Sequence, residues 1–410
     1  MVGRANRVPA LDGVRGLAIA LVLLWHGLFS TGAYANHPLA SRIMSLGRLS
    51  WSGVDLFFVL SGFLIGGNLL DTAESKRYFS TFYMRRVHRI APLYAAVLAF
   101  VFLAPFAMRN LGVTGISNRI PLPYYLAFLQ NLWMAKNGSF GSNILGVTWS
   151  LAVEEQFYLT LPFTIRYVPR SRLWWIVTGM IVGAPLVRML LNHTGTTGTF
   201  ASYVLLLSRA DALGLGVATA LVVRSPKVWE KVASKRKYVY AALGVALSAV
   251  VAMLLSGFTA FTNEALGLEY LLLACLYSLL LLATLLNRHL DAVFSTRTLR
   301  YLGTIAYGLY LLHYGCIWVV HGIARRLCQE QSGWMVLSVP VAGIAMAMVL
   351  ATLSWEYLEK PLIKWGHRYR YDGNSDQPKV LTPRLDVRKP YTPLVTPDQR
   401  GQVQPAGTIA

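Results

Sequence analysis

The sequence predicts an all-α integral membrane protein with about ten transmembrane helices and with both termini in the cytoplasm. Three observations predict this fold class. Hydrophobic residues make up 55% of the 410 residues and charged residues only 14%, whereas about 25% of the residues of a soluble domain are charged. Ten apolar segments are close to the length that crosses a bilayer, and Lys and Arg are concentrated on one predicted side. The segments lie near 14–34, 51–70, 90–108, 148–168, 173–191, 203–223, 239–257, 268–286, 301–320 and 335–357.

The distribution of basic residues sets the predicted topology. With the N-terminus inside, 28 Lys and Arg residues fall on cytoplasmic loops and termini, and seven fall on outer loops. This bias follows the positive-inside rule. The membrane domain is expected at 1–365. Residues 366–410 carry scattered prolines and few large apolar residues, so they are predicted to be a disordered cytoplasmic tail.

The formal net charge of +20 restricts the expected partners. In a soluble protein, such an excess would indicate nucleic-acid binding. Here the basic residues lie between apolar segments, so the sequence predicts a lipid bilayer as the partner and no nucleic acid. The three cysteines have no metal-binding spacing, and no metal site is expected. The sequence leaves the oligomeric state open.

The first apolar segment carries two ionisable residues with an informative spacing. Arg15 and His26 are eleven residues apart, close to three helical turns, so they share one face and lie about 16 Å apart along the axis. In a span near 14–34, Arg15 lies at the cytoplasmic rim and His26 near the middle of the bilayer. An ionisable group at that depth indicates a functional site. A neutral imidazole suits a general base that takes a proton from a hydroxyl group.

Two other interpretations of this segment remain open. Ala33-Tyr34-Ala35 resembles a signal-peptidase site, and cleavage there would remove His26 from the mature protein. Alternatively, His26 is a buried histidine that bonds a backbone carbonyl and has no chemical role.

Six sequence blocks resemble the membrane acyltransferase-3 family, and the resemblance covers roughly residues 8–363. In chain order they are LDGVRGLA at 11–18 followed by His26, DLFFVLSGFLI at 55–65, RRVHRIAPLY at 85–94, TWSLAVEEQFY at 148–158, YGLYLLH at 307–313 and EKP at 359–361. The family usually has Ser where this chain has Ala306.

The resemblance implies an activity and a location. The activity is transfer of an acyl group, usually acetyl, from acyl-coenzyme A to a hydroxyl group, with no permanently bound cofactor. The acceptor is commonly a carbohydrate of a surface polysaccharide or a lipid-linked glycan, or a secondary metabolite, and the location is the bacterial cytoplasmic membrane. Some relatives carry an SGNH hydrolase-like domain. None is expected within these 410 residues, so the membrane domain itself is expected to transfer the group to the acceptor.

The resemblance also links an Arg-x-x-Arg pair to the acyl donor, and Arg86 and Arg89 match that pair. They lie on one face of a helix, and two guanidinium groups suit the phosphates of coenzyme A. Arg15 is assigned to the same phosphates or to the donor's entrance. Asp12, three residues earlier, is a neighbour on the same helix face and could pair with Arg15. The alternative for these arginines is a topological role at the lipid headgroups.

Two carboxylates are candidates for a catalytic role with His26. Glu154 shares a helix face with Ser150 and Tyr158, at i−4 and i+4, and an acidic residue inside a span is not expected to face lipid. Glu154 could orient His26 or bond the acceptor hydroxyl, and its alternative is a hydrogen bond that joins two helices. Asp55, near the outer end of the second segment, is the other candidate, with local pairing as its alternative. The sequence leaves open which carboxylate meets His26.

Further polar residues are expected to support the site. Arg209 and Asp211 interrupt the sixth segment, where they line a cavity or belong to a short amphipathic helix. Tyr307, Tyr310 and His313 recur at i, i+3 and i+6, along one stripe of a helix. A supporting role is expected for Tyr310 and His313.

The predicted function is therefore an integral-membrane O-acyltransferase with His26 as general base. A covalent acyl-histidine intermediate is a second possible use of the same side chain. The alternative function is a proton-coupled transporter or flippase, because His, Asp, Glu and Arg inside spans also serve proton pathways. A transporter does not need paired arginines at the third segment, and the sequence has no apparent internal repeat.

Overall fold

The computed structural model describes residues 8–29, 47–110, 117–255, 267–327 and 335–371. These residues form helices joined by short connections, which confirms the prediction of an all-α fold. The signal-peptidase-like site at Ala33-Tyr34-Ala35 lies outside the described residues, as do residues 372–410 of the tail predicted at 366–410.

The described residues contain seventeen α-helices. In chain order these are α1 Pro9–Leu24, α2 Gly53–Thr72, α3 Tyr78–Asn110, α4 Leu122–Leu126, α5 Gln130–Asn137, α6 Trp149–Tyr167, α7 Arg170–Asn192, α8 Thr196–Val204, α9 Ala210–Val223, α10 Pro226–Ser234, α11 Arg236–Leu255, α12 Glu269–Leu286, α13 Arg288–Phe294, α14 Arg297–Thr304, α15 Ala306–Leu327, α16 Met335–Ser354 and α17 Lys360–Gly366. A π-helical turn follows α1 at Trp25–Phe29, and another follows α16 at Trp355–Glu359.

Seven of the described helical segments are long and apolar enough to cross a membrane. Two further pairs of helices would each count as one span, which raises the number to nine. One pair joins α8 to α9 with a bend of 67°, and the other joins α14 to α15 with a bend of 74°. Arg209 lies at the first bend, which accounts for the weak apolar character of the sixth predicted segment.

The predicted fourth span exists as helix α6 but is not among these nine segments. Glu154, Glu155 and Arg166 lie within it, and three ionisable side chains make it less apolar than the others. The number of ten spans and the cytoplasmic position of both termini therefore stay predictions.

The first helix begins at Pro9, five residues before the predicted start. Proline fits this position because the first N–H groups of a helix have no partner within it. The helix and its π-helical turn are described as far as Phe29, so His26 lies close to their described end rather than midway along them. Arg15 lies six residues after the start. The prediction that Arg15 lies at the rim and His26 near the middle of the span assumed that the helix starts near residue 14.

Glycines let α1 approach its neighbours closely. A Cβ atom on Gly13 would lie 1.6 Å from the carbonyl oxygen of Phe294, and one on Gly16 would lie 2.0 Å from that of Leu299. The backbone of α1 therefore touches α13 and α14 directly. This contact sets the position of Arg15 relative to the rest of the bundle.

The spacing of Gly62 and Gly66 predicts close helix packing of the GxxxG type. The prediction is confirmed, because a Cβ on Gly62 would lie 2.1 Å from the carbonyl oxygen of Leu213 and one on Gly66 would lie 3.2 Å from Val217. Helix α2 thus packs backbone against backbone on α9, and α2 is the helix that carries Asp55 and Ser61.

We expect Gly62→Ala to lower the free energy of unfolding by about 1–3 kcal/mol, because the added methyl group collides with a backbone carbonyl that cannot move alone. Gly179→Ala is the matched control, since a Cβ at Gly179 on α7 meets nothing within 4 Å. Both changes alter helix propensity equally. Thermal unfolding of the purified proteins in detergent measures the difference, and equal melting temperatures would contradict the prediction.

The chain beyond α17 packs back onto α3. The hydroxyl of Thr81 donates to the carbonyl of Arg370 at 3.0 Å, and Nε of Arg85 donates to the carbonyl of Tyr369 at 2.9 Å. The amide of Asn68 on α2 donates to the hydroxyl of Tyr371 at 2.9 Å. The folded part of the described chain therefore continues to residue 371.

Candidate functional site

A cavity of about 590 Å³ lies between the helices that carry the predicted site. This volume is within the usual range of small-molecule sites, roughly 300–1,000 Å³. Its walls come chiefly from α1, α2, α3, α6, α15 and the segment from Trp355 to His367. Most of the predicted site residues line it, namely Asp12, Arg15, Arg86, Arg89, Ser150, Glu154, Tyr158 and Tyr310.

The cavity has a basic region formed by Arg15 and the Arg-x-x-Arg pair. Nη1 of Arg15 lies 3.3 Å from Oδ1 of Asp12, which confirms the predicted pairing. The guanidinium of Arg86 lies 4.0 Å from the centre of the Tyr158 ring, a cation–π contact that holds it at the cavity wall. Arg89 lines the same cavity and is the most exposed of the three. Three guanidinium groups from α1 and α3 thus converge on one space.

Two further basic residues, Arg224 and His367, line the cavity and were not singled out by the sequence. Arg224 forms a two-point ion pair with Asp71, with N–O distances of 2.8 Å and 2.8 Å. His367 follows α17. In the sequence Arg224 looks like an ordinary positive-inside residue, and no local signal separates either residue from its neighbours.

Glu154 lies in a small hydrogen-bond chain on the cavity wall. Its carboxylate accepts a hydrogen bond from the hydroxyl of Ser61. The hydroxyl of Tyr158 donates to the same Ser61 oxygen at 2.9 Å. The predicted face of Ser150, Glu154 and Tyr158 is therefore turned into the cavity as a unit. Ser61 belongs to the second sequence block, but nothing in the sequence connected it with Glu154.

His26 lies in the π-helical turn that ends the first helix, beside a second histidine. Its Nδ1 is 3.1 Å from the carbonyl oxygen of Val22 and 3.2 Å from Nε2 of His313. The ring of Tyr314 meets it edge-on, with 5.2 Å between ring centres. Nδ1 of His313 is in turn 2.9 Å from the carbonyl oxygen of Leu309. π-Helical turns occur frequently at functional sites.

The carboxylates considered as partners of His26 bond other groups. Glu154 bonds Ser61, and Asp55 pairs with Arg209. Each carboxylate therefore has a donor other than the imidazole, although Oδ2 of Asp55 has no hydrogen-bond partner among the described residues. Nδ1 of His26 instead lies beside Nε2 of His313, for which the sequence indicated only a supporting role.

Tyr310 connects the cavity with the histidine pair. It lines the cavity, and its ring centre is 6.0 Å from that of His313. Its hydroxyl donates to the carbonyl of Val147 at 2.8 Å and accepts from the hydroxyl of Ser150 at 2.6 Å. His26 and His313 are not among the residues that line the cavity. His313 lies beside Tyr310, and His26 lies beside His313.

Arg209 and Asp55 form a buried ion pair that does not line this cavity. Both side chains are 1% exposed, and the guanidinium of Arg209 lies 4.1 Å from the centre of the Tyr270 ring. A second pair lies next to it, with Nη2 of Arg188 2.7 Å from Oδ2 of Asp211. Arg209 and Asp211, predicted to line a cavity or to belong to a short amphipathic helix, are not among the residues that line the cavity of about 590 Å³. Instead, the two ion pairs hold the bend between α8 and α9, where opposite charges compensate one another.

Glu359 of the sixth sequence block also reaches the cavity. It ends the second π-helical turn, is buried, and accepts a hydrogen bond from Ser354 at 2.9 Å. The sequence identified this block as a motif but gave no role to its carboxylate. The structure places it on the cavity wall with Arg89.

Known proteins are similar to this chain over most of its length. The model of the acyltransferase-3 family, described as an acyltransferase domain, matches residues 8–356. The peptidoglycan O-acetyltransferase OatA of Listeria monocytogenes is 28% identical over 392 residues, which are 90% of this chain and 58% of that protein. The putative peptidoglycan O-acetyltransferase YrhL of Bacillus subtilis is 28% identical over 381 residues, which are 88% of this chain and 56% of that protein.

A putative O-acetyltransferase of Staphylococcus aureus is 26% identical over 378 residues, which are 88% of this chain and 58% of that protein. The chain thus spans somewhat more than half the length of these relatives. No solved structure matches it.

Proposed function

The chain belongs to the acyltransferase-3 family, and we propose that it is an integral-membrane O-acetyltransferase of the bacterial cytoplasmic membrane. In this proposal it moves an acetyl group from acetyl-coenzyme A to a hydroxyl group of a glycan. The names of the relatives support the acetyl group and the glycan. The observation that carries the proposal is that Arg15, Arg86 and Arg89 share one cavity whose wall at Tyr310 adjoins the pair His26–His313.

The basic region is suited to the donor. Coenzyme A carries several negative charges on its phosphates, and guanidinium groups bind phosphate oxygens with paired, charge-assisted hydrogen bonds. The cavity also has an apolar wall on α2, from Phe57, Leu60 and Leu64. The phosphates would be held at the arginines, and the pantetheine arm would extend along this wall towards Tyr310.

The proposed chemical step takes place at His26. The acceptor oxygen attacks the carbonyl carbon of the thioester while the imidazole removes the hydroxyl proton, which makes the oxygen a competent nucleophile. The C–S bond then breaks, and the thiolate of coenzyme A takes the proton back from the imidazolium. The products are an O-acetyl ester and free coenzyme A, and the histidine returns to its neutral form.

Transfer of label from radioactive acetyl-coenzyme A tests this function directly. The purified protein, in detergent or lipid nanodiscs, would be supplied with soluble peptidoglycan glycan fragments as the acceptor probe. We expect alkali-labile label on the fragments, because an O-acetyl ester is cleaved by mild base. A protein that neither consumes acetyl-coenzyme A nor labels a hydroxyl acceptor would exclude the proposal and favour the proton-coupled transporter.

We expect the double variant Arg86→Ala, Arg89→Ala to raise the KM for acetyl-coenzyme A by about 10²- to 10⁴-fold, because it removes at least two charge-assisted bonds that contribute about 1.5–3 kcal/mol each. The matched control is Arg297→Ala, Arg300→Ala. These two arginines have the same i, i+3 spacing on α14, are exposed, and do not line the cavity. Initial-rate kinetics measure both variants. Equal KM values in the two variants would show that the effect is one of net charge alone.

A further inference from the structure

We propose that His313 is a positioning residue that fixes the tautomer of His26, so that Nε2 of His26 is the basic nitrogen. This inference rests on the proposed function, since it assigns a role within that active site. The observation behind it is that His313, on α15, contacts Nδ1 of His26. The proposed base is the other ring nitrogen, Nε2.

The backbone determines the tautomer of His313. Its Nδ1 lies 2.9 Å from the carbonyl oxygen of Leu309. A carbonyl oxygen only accepts, so this Nδ1 carries a hydrogen, and in a neutral ring Nε2 then carries a lone pair. The side chain is fully buried in the described structure. A buried neutral ring bonded in this way is held in one orientation, and its Nε2 is its one acceptor.

The acceptor on His313 determines the tautomer of His26 in turn. Nε2 of His313 lies 3.2 Å from Nδ1 of His26, and the carbonyl oxygen of Val22 lies 3.1 Å from the same nitrogen. Both neighbours accept, so Nδ1 of His26 carries the hydrogen and shares it between them. The lone pair of His26 is therefore on Nε2. This is the arrangement of a general base that a third group orients from behind.

A neutral histidine suits this position better than a carboxylate would. A carboxylate would place a full negative charge in the apolar interior of the bundle, which is costly without a paired cation. A neutral imidazole fixes the ring at lower cost. When His26 takes up a proton, its Nδ1–H becomes a stronger donor, and the bond to His313 strengthens in the charged intermediate.

Three substitutions at His313 separate a positioning role from a structural one. His313→Phe keeps an aromatic ring but removes both the acceptor for His26 and the donor to the carbonyl of Leu309. His313→Gln places an amide oxygen where Nε2 was, so it still accepts from His26. His313→Asn places its amide near the former Nδ1, where it bonds Leu309 but does not reach His26.

We expect His313→Phe to lower kcat by about 10- to 100-fold, the effect of losing one buried acceptor, with the KM for acetyl-coenzyme A changed less than about twofold because the arginines are untouched. His313→Gln should retain several-fold more activity than His313→Asn. Activities are compared only between variants whose melting temperatures match, and the Gln–Asn comparison decides if the Phe variant does not fold.

The outcomes separate this inference from the proposed function. If the wild type transfers acetyl groups and His26→Ala does not, but all three His313 variants match the wild type, the positioning role is wrong and the proposed function stands. Equal losses in the Gln and Asn variants would also overturn the positioning role, because only Gln keeps the bond to His26. If the wild type does not use acetyl-coenzyme A, both proposals are wrong.

Discussion

His26→Ala is expected to reduce kcat for acetyl transfer by about 10²- to 10⁴-fold, the range that a positioned general base contributes. The hydroxyl group of a glycan is a weak nucleophile at neutral pH, and without the imidazole no other described base lies in the π-helical turn to take its proton. The KM for acetyl-coenzyme A should change little, because His26 does not line the cavity that holds the arginines. Single-turnover measurements with radiolabelled acetyl-coenzyme A give the size of the chemical step.

The control for this variant is His289→Ala. His289 is exposed on α13, and its backbone N–H donates to Oδ1 of Asn287 at 2.8 Å. We expect this variant to match the wild type in activity and melting temperature. Undiminished transfer by His26→Ala would mean that the base lies elsewhere, and the role proposed for His313 would be lost with it.

Local patterns in the sequence were sufficient to predict the helices and one side of the site. Nine of the ten apolar segments correspond to the seven long apolar helices and the two bent helix pairs of the described structure. The 3.6-residue period correctly placed Ser150, Glu154 and Tyr158 on one helix face. The i, i+3 spacing did the same for Arg86 and Arg89. These are properties of single helices, so the sequence contains them directly.

The sequence alone did not predict which residues on distant helices contact each other. His313 is 287 residues away from His26 along the chain, and Arg209 is 154 residues away from Asp55. Periodicity assigns each residue to a face of its own helix but does not say which other helix that face meets. The carboxylates were therefore natural candidates for His26, although the packing of α1 on α15 brings a histidine there instead. The start of α1 was misplaced because the charged residues of its first turns made the segment appear to begin later.

Breaking the ion pair between Asp55 and Arg209 is expected to have the second large effect. Arg209→Met leaves the carboxylate of Asp55 in the interior, where both partners are 1% exposed. The loss of one partner from a buried pair costs about 3–5 kcal/mol of stability. Asp55→Leu should cost about as much, because it leaves the guanidinium uncompensated. Thermal unfolding in detergent measures both, and Glu356→Ala is the control, since the exposed pair of Glu356 with Lys360 should contribute less than about 1 kcal/mol.

The double variant Asp55→Leu, Arg209→Met decides whether Asp55 has a chemical role. Oδ2 of Asp55 and both Nε and Nη1 of Arg209 find no hydrogen-bond partner in the described part of the chain, so the pair is incompletely compensated in the native fold. Replacing both partners by apolar side chains is often neutral or stabilising, and we expect the double variant to regain most of the lost stability. If Asp55 only stabilises the fold, acetyl transfer returns with stability. If it takes part in the reaction, the double variant is folded and inactive, and the site must be extended from the cavity at Tyr310 to this buried pair.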